Sequence, residues 1–345
     1  MGPSSCGGDM NKMVALFPGQ GAQHVGMAKE LYENFAVARE AFEEASDAVR
    51  LNLRKLCFEG PESDLALTEN TQPCLLTASV AAFKVAQAEL GFTPSAVAGH
   101  SLGEYSALVA AGALPLSAAA RWVRERGAAM QIAVPAGQGA MAAILGLEDE
   151  QVQELCKQAT VSAQEKRAKG ESPELDVLPI VEPANFNSPG QVVIAGSADG
   201  VAQAIAIMPG FAGGKAIPLN VSAPFHCRLM APARDRMATL FSEAATNEKP
   251  RTPHCPYVPN RTARLTREPG LVFELLVEQI DHPVLWKQSV LALVEAGYGT
   301  AIEFGPGKVL QGLAKRIAKT SFAVHSLGDL ANFKALESIL RKPAV

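Results

Sequence analysis

The strongest constraint on this chain lies at residues 96–112, AVAGHSLGEYSALVAAG. The short apolar run reads as a buried strand, and the alanine-rich segment behind it reads as a helix. Between them, Gly99-His100-Ser101-Leu102-Gly103 has the form G-x-S-x-G. A strand that turns sharply into a helix needs small residues where the two backbones close on each other, and the glycines at 99 and 103 remove Cβ atoms there. The turn lifts the Ser101 hydroxyl clear of the main chain. The first N–H groups of the helix, from Leu102 onward, lack helical partners and carry partial positive charge, so they can receive an oxyanion. The pattern predicts a nucleophile elbow; the plain alternative is a serine capping a helix.

Similar punctuation recurs along the chain. KMVALF (12–17) is a second buried strand, and it runs into the glycine-rich PGQGAQ. That loop lacks the Lys-Ser/Thr of a phosphate loop and the full G-x-G-x-x-G spacing, so it reads as a loop bringing a backbone N–H to the site. Helical patterns cover MAKELYENFAVAREAFEEASDAV, then CLLTASVAAFKVAQAEL up to a Gly91 cap, then LSAAARWVRERGAAMQIAV after Pro115. After PAGQG (135–139) strands and helices alternate as GAMAAILGL, EDEQVQELCKQA, GQVVIAGS, ADGVAQAIAIM and GGKAIPLNV. This order predicts a small ferredoxin-like unit inserted into a larger α/β domain. Inside it VSAQEKRAKGESPELD (161–176) is polar and charged, and reads as an exposed loop or loose extension.

Composition excludes several function classes. The 345 residues, 48% hydrophobic, suffice for a large buried core. A formal net charge of −4 gives no reason to expect nucleic acid as a partner. No apolar run reaches membrane-spanning length, and MGPSSCGGD lacks the basic and apolar regions of a signal peptide. Residues 1–11 read as a flexible tail. The six cysteines form no C-x-x-C pair and no Cys/His cluster with zinc spacing, so neither a metal nor a disulfide framework is expected, and a cytoplasmic setting is.

A serine nucleophile needs a base. His100 adjoins Ser101, so an elbow points its side chain elsewhere. His254 lies in the proline-rich RTPHCP and reads as a loop residue; His282 precedes Pro283. In α/β hydrolases the base falls late, after an acid, which favours His325 with Glu303; spacing alone leaves His226 in SAPFHCRLMAPA about as eligible. Arg126 is offset by about 200° from Arg124 on their helix and is followed by Gly127 and apolar residues. An inward-facing guanidinium needs an anionic partner, either an internal carboxylate or a substrate carboxylate held by two parallel bonds.

Seven stretches together resemble one family. FPGQGAQHVGMA, GHSLGEYSALVAAGAL, RERGAAMQ, GAMAAILGL, NFNSPGQVVIAG, SAPFHCRLMAPA and IEFGPGKVLQGLAKRI are similar, in order and spacing, to malonyl-CoA:acyl carrier protein transacylases, across residues 12 to 330. The resemblance implies an α/β-hydrolase-like large domain (12–137 and 220–345) with a ferredoxin-like insert (138–219). It implies Ser101 as acyl-accepting nucleophile, His226 rather than His325 as base, and Arg126 as the grip on the malonyl carboxylate. It also implies an oxyanion hole from the N–H groups of Gln20 and Leu102, a histidine oriented by the main-chain carbonyl of Gln279, and Asn187 lining the site. Phe225 before the base goes with malonyl rather than methylmalonyl substrates. Malonyl-CoA and the phosphopantetheine of acyl carrier protein are the implied substrates, with no bound cofactor, and a monomer is expected. The departure from the family is the charged segment 161–176, whose basic residues can meet an acidic carrier or simply solvent. A thioesterase or proofreading hydrolase is the alternative on the same scaffold, and a non-catalytic docking module is a third.

Overall fold

The computed structural model describes residues 12–172, 174–221 and 223–340; the tail expected at 1–11 lies outside them. Two sheets organise the chain. The first contains β1 (Met13–Phe17), β2 (Ala96–Gly99), β7 (Tyr257–Val258), β8 (Thr300–Phe304) and β9 (Ala323–Leu327), all parallel, in the order β7-β2-β1-β8-β9. Every residue of β1 is buried, with Met13, Ala15 and Phe17 on one face and Val14 and Leu16 on the other. Burial on both faces explains why this strand reads as a continuous apolar run instead of an alternating one.

The second sheet contains β3 (Gly139–Leu145), β4 (Val181–Ser188), β5 (Gln191–Ser197) and β6 (Lys215–Pro218), antiparallel in the order β4-β5-β3-β6. Helices Asp149–Ala168 and Ala198–Ile207 follow β3 and β5, completing the β-α-β-β-α-β order of a ferredoxin-like unit. The sequence pattern missed β4, because Pro183 interrupts it. The structure keeps Pro183 on an edge strand beside a register shift at Pro183/Asn185, where its missing N–H costs no ladder bond.

The reading of 161–176 as a loop needs correction for 161–168, while 169–172 and 174–176 lie outside any helix or strand. The helix that begins at Asp149 continues to Ala168, with Ala159 and Ala163 buried on its inner face. Arg167 near its end donates to Asp199 Oδ2 at 2.7 Å and to the carbonyls of Leu175 and Val177. Asp176 and Gln138 exchange two further bonds, at 2.7 and 2.8 Å. A helix needs only a thin apolar stripe to dock, so its charged outer face disguised it. Two other boundaries also moved. The helix read from Cys74 starts at Thr68 and carries Pro73 inside it, and the long pattern after Met27 breaks at Phe35 into Lys29–Asn34 and Ala36–Val49.

Candidate active site

Three adjacent strands of the parallel sheet end at one place. Ser101 follows β2, the Pro18–Gln20 loop follows β1, and Asn260 follows β7. The carboxyl ends of parallel strands are where ligands bind in such sheets. Ser101 has φ 51°, the left-handed region that a non-glycine residue occupies only under constraint. The glycines make the turn possible. A Cβ on Gly99 would lie 1.9 Å from the Gly103 carbonyl oxygen, and one on Gly103 would lie 2.0 Å from that of Phe17. A Cβ on Gly19 would meet the His100 carbonyl oxygen at 2.5 Å, so the β1 loop is packed directly against the elbow.

The Ser101 hydroxyl donates to His226 Nε2 at 2.7 Å, and His226 Nδ1–H donates to the Gln279 main-chain carbonyl at 2.7 Å. The second bond fixes the tautomer, leaving Nε2 as a bare acceptor. Burial, followed by the charge of Arg126, lowers the His226 pKa to about 3, so the resting imidazole is neutral. His325 is not part of this group: it sits on β9, with β8 and β1 between it and β2. Glu303 is also engaged elsewhere, accepting from the N–H groups of Leu310 and Gln311 at 3.0 and 2.9 Å.

Arg126 is 1% exposed. One terminal nitrogen donates to Gln72 Oε1 at 2.8 Å; the other donates to Gln279 Oε1 at 2.8 Å and to Ser101 Oγ at 3.1 Å. These partners are all neutral, so the internal ion pair weighed from the sequence is replaced by a cradle of amides. Its Nε has no hydrogen-bond partner among the described residues. Burial lowers the guanidinium pKa, with Tyr105 and Glu104 acting against the shift. A guanidinium stays charged in proteins, so this cation lies buried beside the Ser101 hydroxyl without a bonded counter-ion.

The remaining sequence candidates surround this group. The first bond of the elbow's helical turn runs from Gly103 N–H to the His100 carbonyl, which leaves the Leu102 N–H ahead of the ladder. Gln20 is exposed in the loop that packs on His100, and its side chain donates to Thr68 Oγ1 at 3.4 Å. Asn187 on β4 pairs its Oδ1 with His100 Nε2 at 2.8 Å, so it reaches the elbow through His100. Phe225 is buried directly before His226. A groove of about 910 Å³ opens beside His226, lined by Lys157, Thr160, Glu182, Arg228 and His282 among others. Sequence reasoning missed Gln72, Glu104, Asn260 and the side chain of Gln279. Only Glu104 carried a signal, as an acid in a helix's first turn, and that signal reads as ordinary dipole compensation.

Comparison with known proteins shows the family. Residues 14–339 match the family described as acyl transferase domain. The malonyl CoA-acyl carrier protein transacylase of Bacillus subtilis is 42% identical over 308 residues, covering 89% of this chain and 91% of that protein. The crystal structure of an acyl carrier protein S-malonyltransferase from Vibrio cholerae superposes with a TM-score of 0.85 at 42% identity, covering 94% of this chain and 99% of that one. A malonyl-transacylase solved in complex with its type II polyketide synthase acyl carrier protein gives 0.85 at 41% identity, covering 95% and 99%. The chain belongs to the acyl transferase domain family.

Proposed function

We propose that this protein transfers a malonyl group from malonyl-CoA, through an ester on Ser101, to the phosphopantetheine thiol of acyl carrier protein. The observation that carries this is the buried Arg126, held by neutral amides within 3.1 Å of Ser101 Oγ. A guanidinium with no bonded counter-ion favours an acyl group that brings its own carboxylate. In malonyl that carboxylate lies one methylene beyond the reacting carbonyl, short enough to fold back onto Arg126 while the carbonyl meets the serine.

In the first half-reaction, Ser101 Oγ attacks the thioester carbonyl as His226 Nε2 takes the hydroxyl proton. The oxyanion lies against the N–H groups of Leu102 and Gln20, each worth about 3 kcal/mol to the transition state. The C–S bond breaks, and His226 returns its proton to the departing CoA thiolate. In the second half-reaction the carrier's thiol gives its proton to His226 and attacks the malonyl-serine ester, and Ser101 leaves with that proton. The Gln279 carbonyl holds the imidazole throughout, in the position a triad acid otherwise takes. The groove beside His226 has room for the pantetheine arm that both thiol substrates share. The protein needs no cofactor of its own for this chemistry. Cys57, Cys74, Cys156, Cys227 and Cys255 are free and buried, which suits a reducing cytoplasmic setting.

Intact mass after incubation with malonyl-, methylmalonyl- and acetyl-CoA, followed by carrier protein, tests this reading. A malonyl adduct that transfers to the carrier is expected, while free malonate without acylated carrier would identify a hydrolase instead. Phe225 crowds an α-methyl group, so methylmalonyl should load more slowly, by a factor set by about 1–3 kcal/mol. Arg126→Ala should reduce malonyl loading by at least about 100-fold more than acetyl loading, because a charged hydrogen-bonded pair is lost; equal losses would remove the carboxylate grip.

A further inference from the structure

Glu104 lies in the first turn of the helix Gly103–Ala110, behind Ser101, and is 1% exposed. Its Oε2 accepts from Gln279 Nε2 at 2.6 Å and from the Asn260 main-chain N–H at 3.0 Å, while Oε1 has no partner among the described residues. Both residues bonded to Oε2 hold Ser101. Asn260 Oδ1 accepts from the Ser101 N–H at 2.6 Å, and Asn260 Nδ2 donates to the Gly99 carbonyl at 2.6 Å. Gln279 Nε2 donates to the Ser101 carbonyl at 3.0 Å, and Gln279 Oε1 accepts from Arg126.

The Gln279 amide can lie in its slot in two orientations of equal shape. In the observed one, its donor faces two oxygens and its oxygen faces a cation. Reversed, its oxygen would face the Glu104 and Ser101 oxygens, and its NH₂ would face the guanidinium. Removing the Glu104 acceptor weakens the preference on one side, and with it the support of Arg126 on the other.

We propose that Glu104 is a positioning residue: by fixing the Gln279 side-chain amide it sets the Arg126 guanidinium for the acyl carboxylate, and through Asn260 it supports the Ser101 backbone. Burial raises the Glu104 carboxyl to about 7, opposed by its two hydrogen bonds and by Arg126; Tyr105 and Tyr257 are the other ionisable groups that interact with it. A proton taken up at the unpartnered Oε1 leaves Oε2 accepting both bonds, so the anchor works in either charge state. A neutral acceptor of the same shape therefore suffices in its place.

This inference rests on the malonyl-transfer reading, and wild-type loading checks that reading separately. Single-turnover loading from malonyl-CoA and acetyl-CoA is measured for wild type, Glu104→Gln and Glu104→Met, with KM and the saturating rate resolved for each. Methionine matches the length without the acceptor, and its malonyl-to-acetyl ratio should fall about tenfold, as expected for one lost hydrogen bond to a charged group. Glutamine should stay within about threefold of wild type. If the methionine variant does not fold, Glu104→Asp, one methylene short, carries the same expectation. An unchanged ratio in the methionine variant, equal proportional loss of both acyl groups, or a glutamine variant as impaired as methionine or unable to fold would each overturn the proposal. Failure of the wild type to take up malonyl would instead overturn the functional reading.

Discussion

Ser101 and His226 both hold positive φ angles, 51° and 62°, although neither is glycine. Such strain persists only where the surroundings over-determine it, and it gathers at working sites. At Ser101 the surroundings are identifiable: Asn260 takes its N–H, while Gln279 and the Glu104 N–H bond its carbonyl. His226 carries a consequence for pH. Its folded pKa, about 3, lies below the ordinary value of 6.5, so the imidazole contributes stability that is complete above about 6.5 and is lost as pH falls toward 3. The same depression keeps the imidazole neutral near pH 6. The kcat/KM for malonyl loading reports the free enzyme, so between pH 6 and 7.5 it should vary less than about twofold. A decline on the acid side centred near 6.5 would show that His226 titrates as if solvated. Ser101 and Leu102 were legible because local pattern exposes them, a strand and two glycines before a helix, whereas helix phase turned Arg126 inward but left its partner open between an internal and a substrate carboxylate. The choice of His226 over His325 was not local, since only tertiary structure brings a residue 125 positions away to 2.7 Å from the hydroxyl.

At the scale of elements, the elbow depends on close approach of β1 and the helix Gly103–Ala110. A methyl group at Gly103 would lie 2.0 Å from the Phe17 carbonyl oxygen and 2.9 Å from that of Pro18, both main-chain atoms that cannot rotate away. Gly103→Ala should cost about 3 kcal/mol by overpacking and move the Pro18–Gln20 loop away from Ser101. Gly312 provides the contrast. It lies inside the helix Val309–Ala318, and a Cβ there meets nothing within 4 Å, so Gly312→Ala should stabilise by about 0.5–1 kcal/mol. Urea unfolding of both variants measures the difference, and similar midpoints would contradict the close-approach account. Elements with strong period or punctuation were legible in the sequence, including β1, β2, the Gly91 cap and the helix from Leu116. Those fixed by partners were hidden. The two-residue β7 exists because β2 offers it a ladder, and the charged end of the helix Asp149–Ala168 holds through Arg167 and Asp199.

At the scale of the whole molecule, the second sheet is covered on both faces. Ala142, Ile144, Val192 and Ile194 pack with Val152, Leu155 and Val201 of its own helices. The alternate residues Met141, Ala143, Val193 and Ala195 belong instead to the large core that holds Met13, Phe17, Phe225 and Cys227. One continuous core therefore joins both sheets to the segment carrying His226. β4 is tied to the far side as well, through Phe186 N–H to the Val284 carbonyl and Val284 N–H to that of Ala184, both at 2.9 Å. Such sharing predicts one cooperative unfolding transition, with calorimetric and van't Hoff enthalpies equal, although chains with two sheet units often unfold in steps. The two tryptophans report on it from outside the second sheet: Trp122 lies in the large core, and Trp286 lies in the core on the opposite face of the parallel sheet. Ile144→Ala removes a fully buried side chain from the outer face of the second sheet and should cost about 3 kcal/mol. If the sheets unfold together, the tryptophan fluorescence midpoint falls as far as the circular dichroism midpoint. If the variant instead shows an early dichroism step while fluorescence keeps its wild-type midpoint, the sheets are independent, and His226 is held by the large core and Gln279 without help from the second sheet.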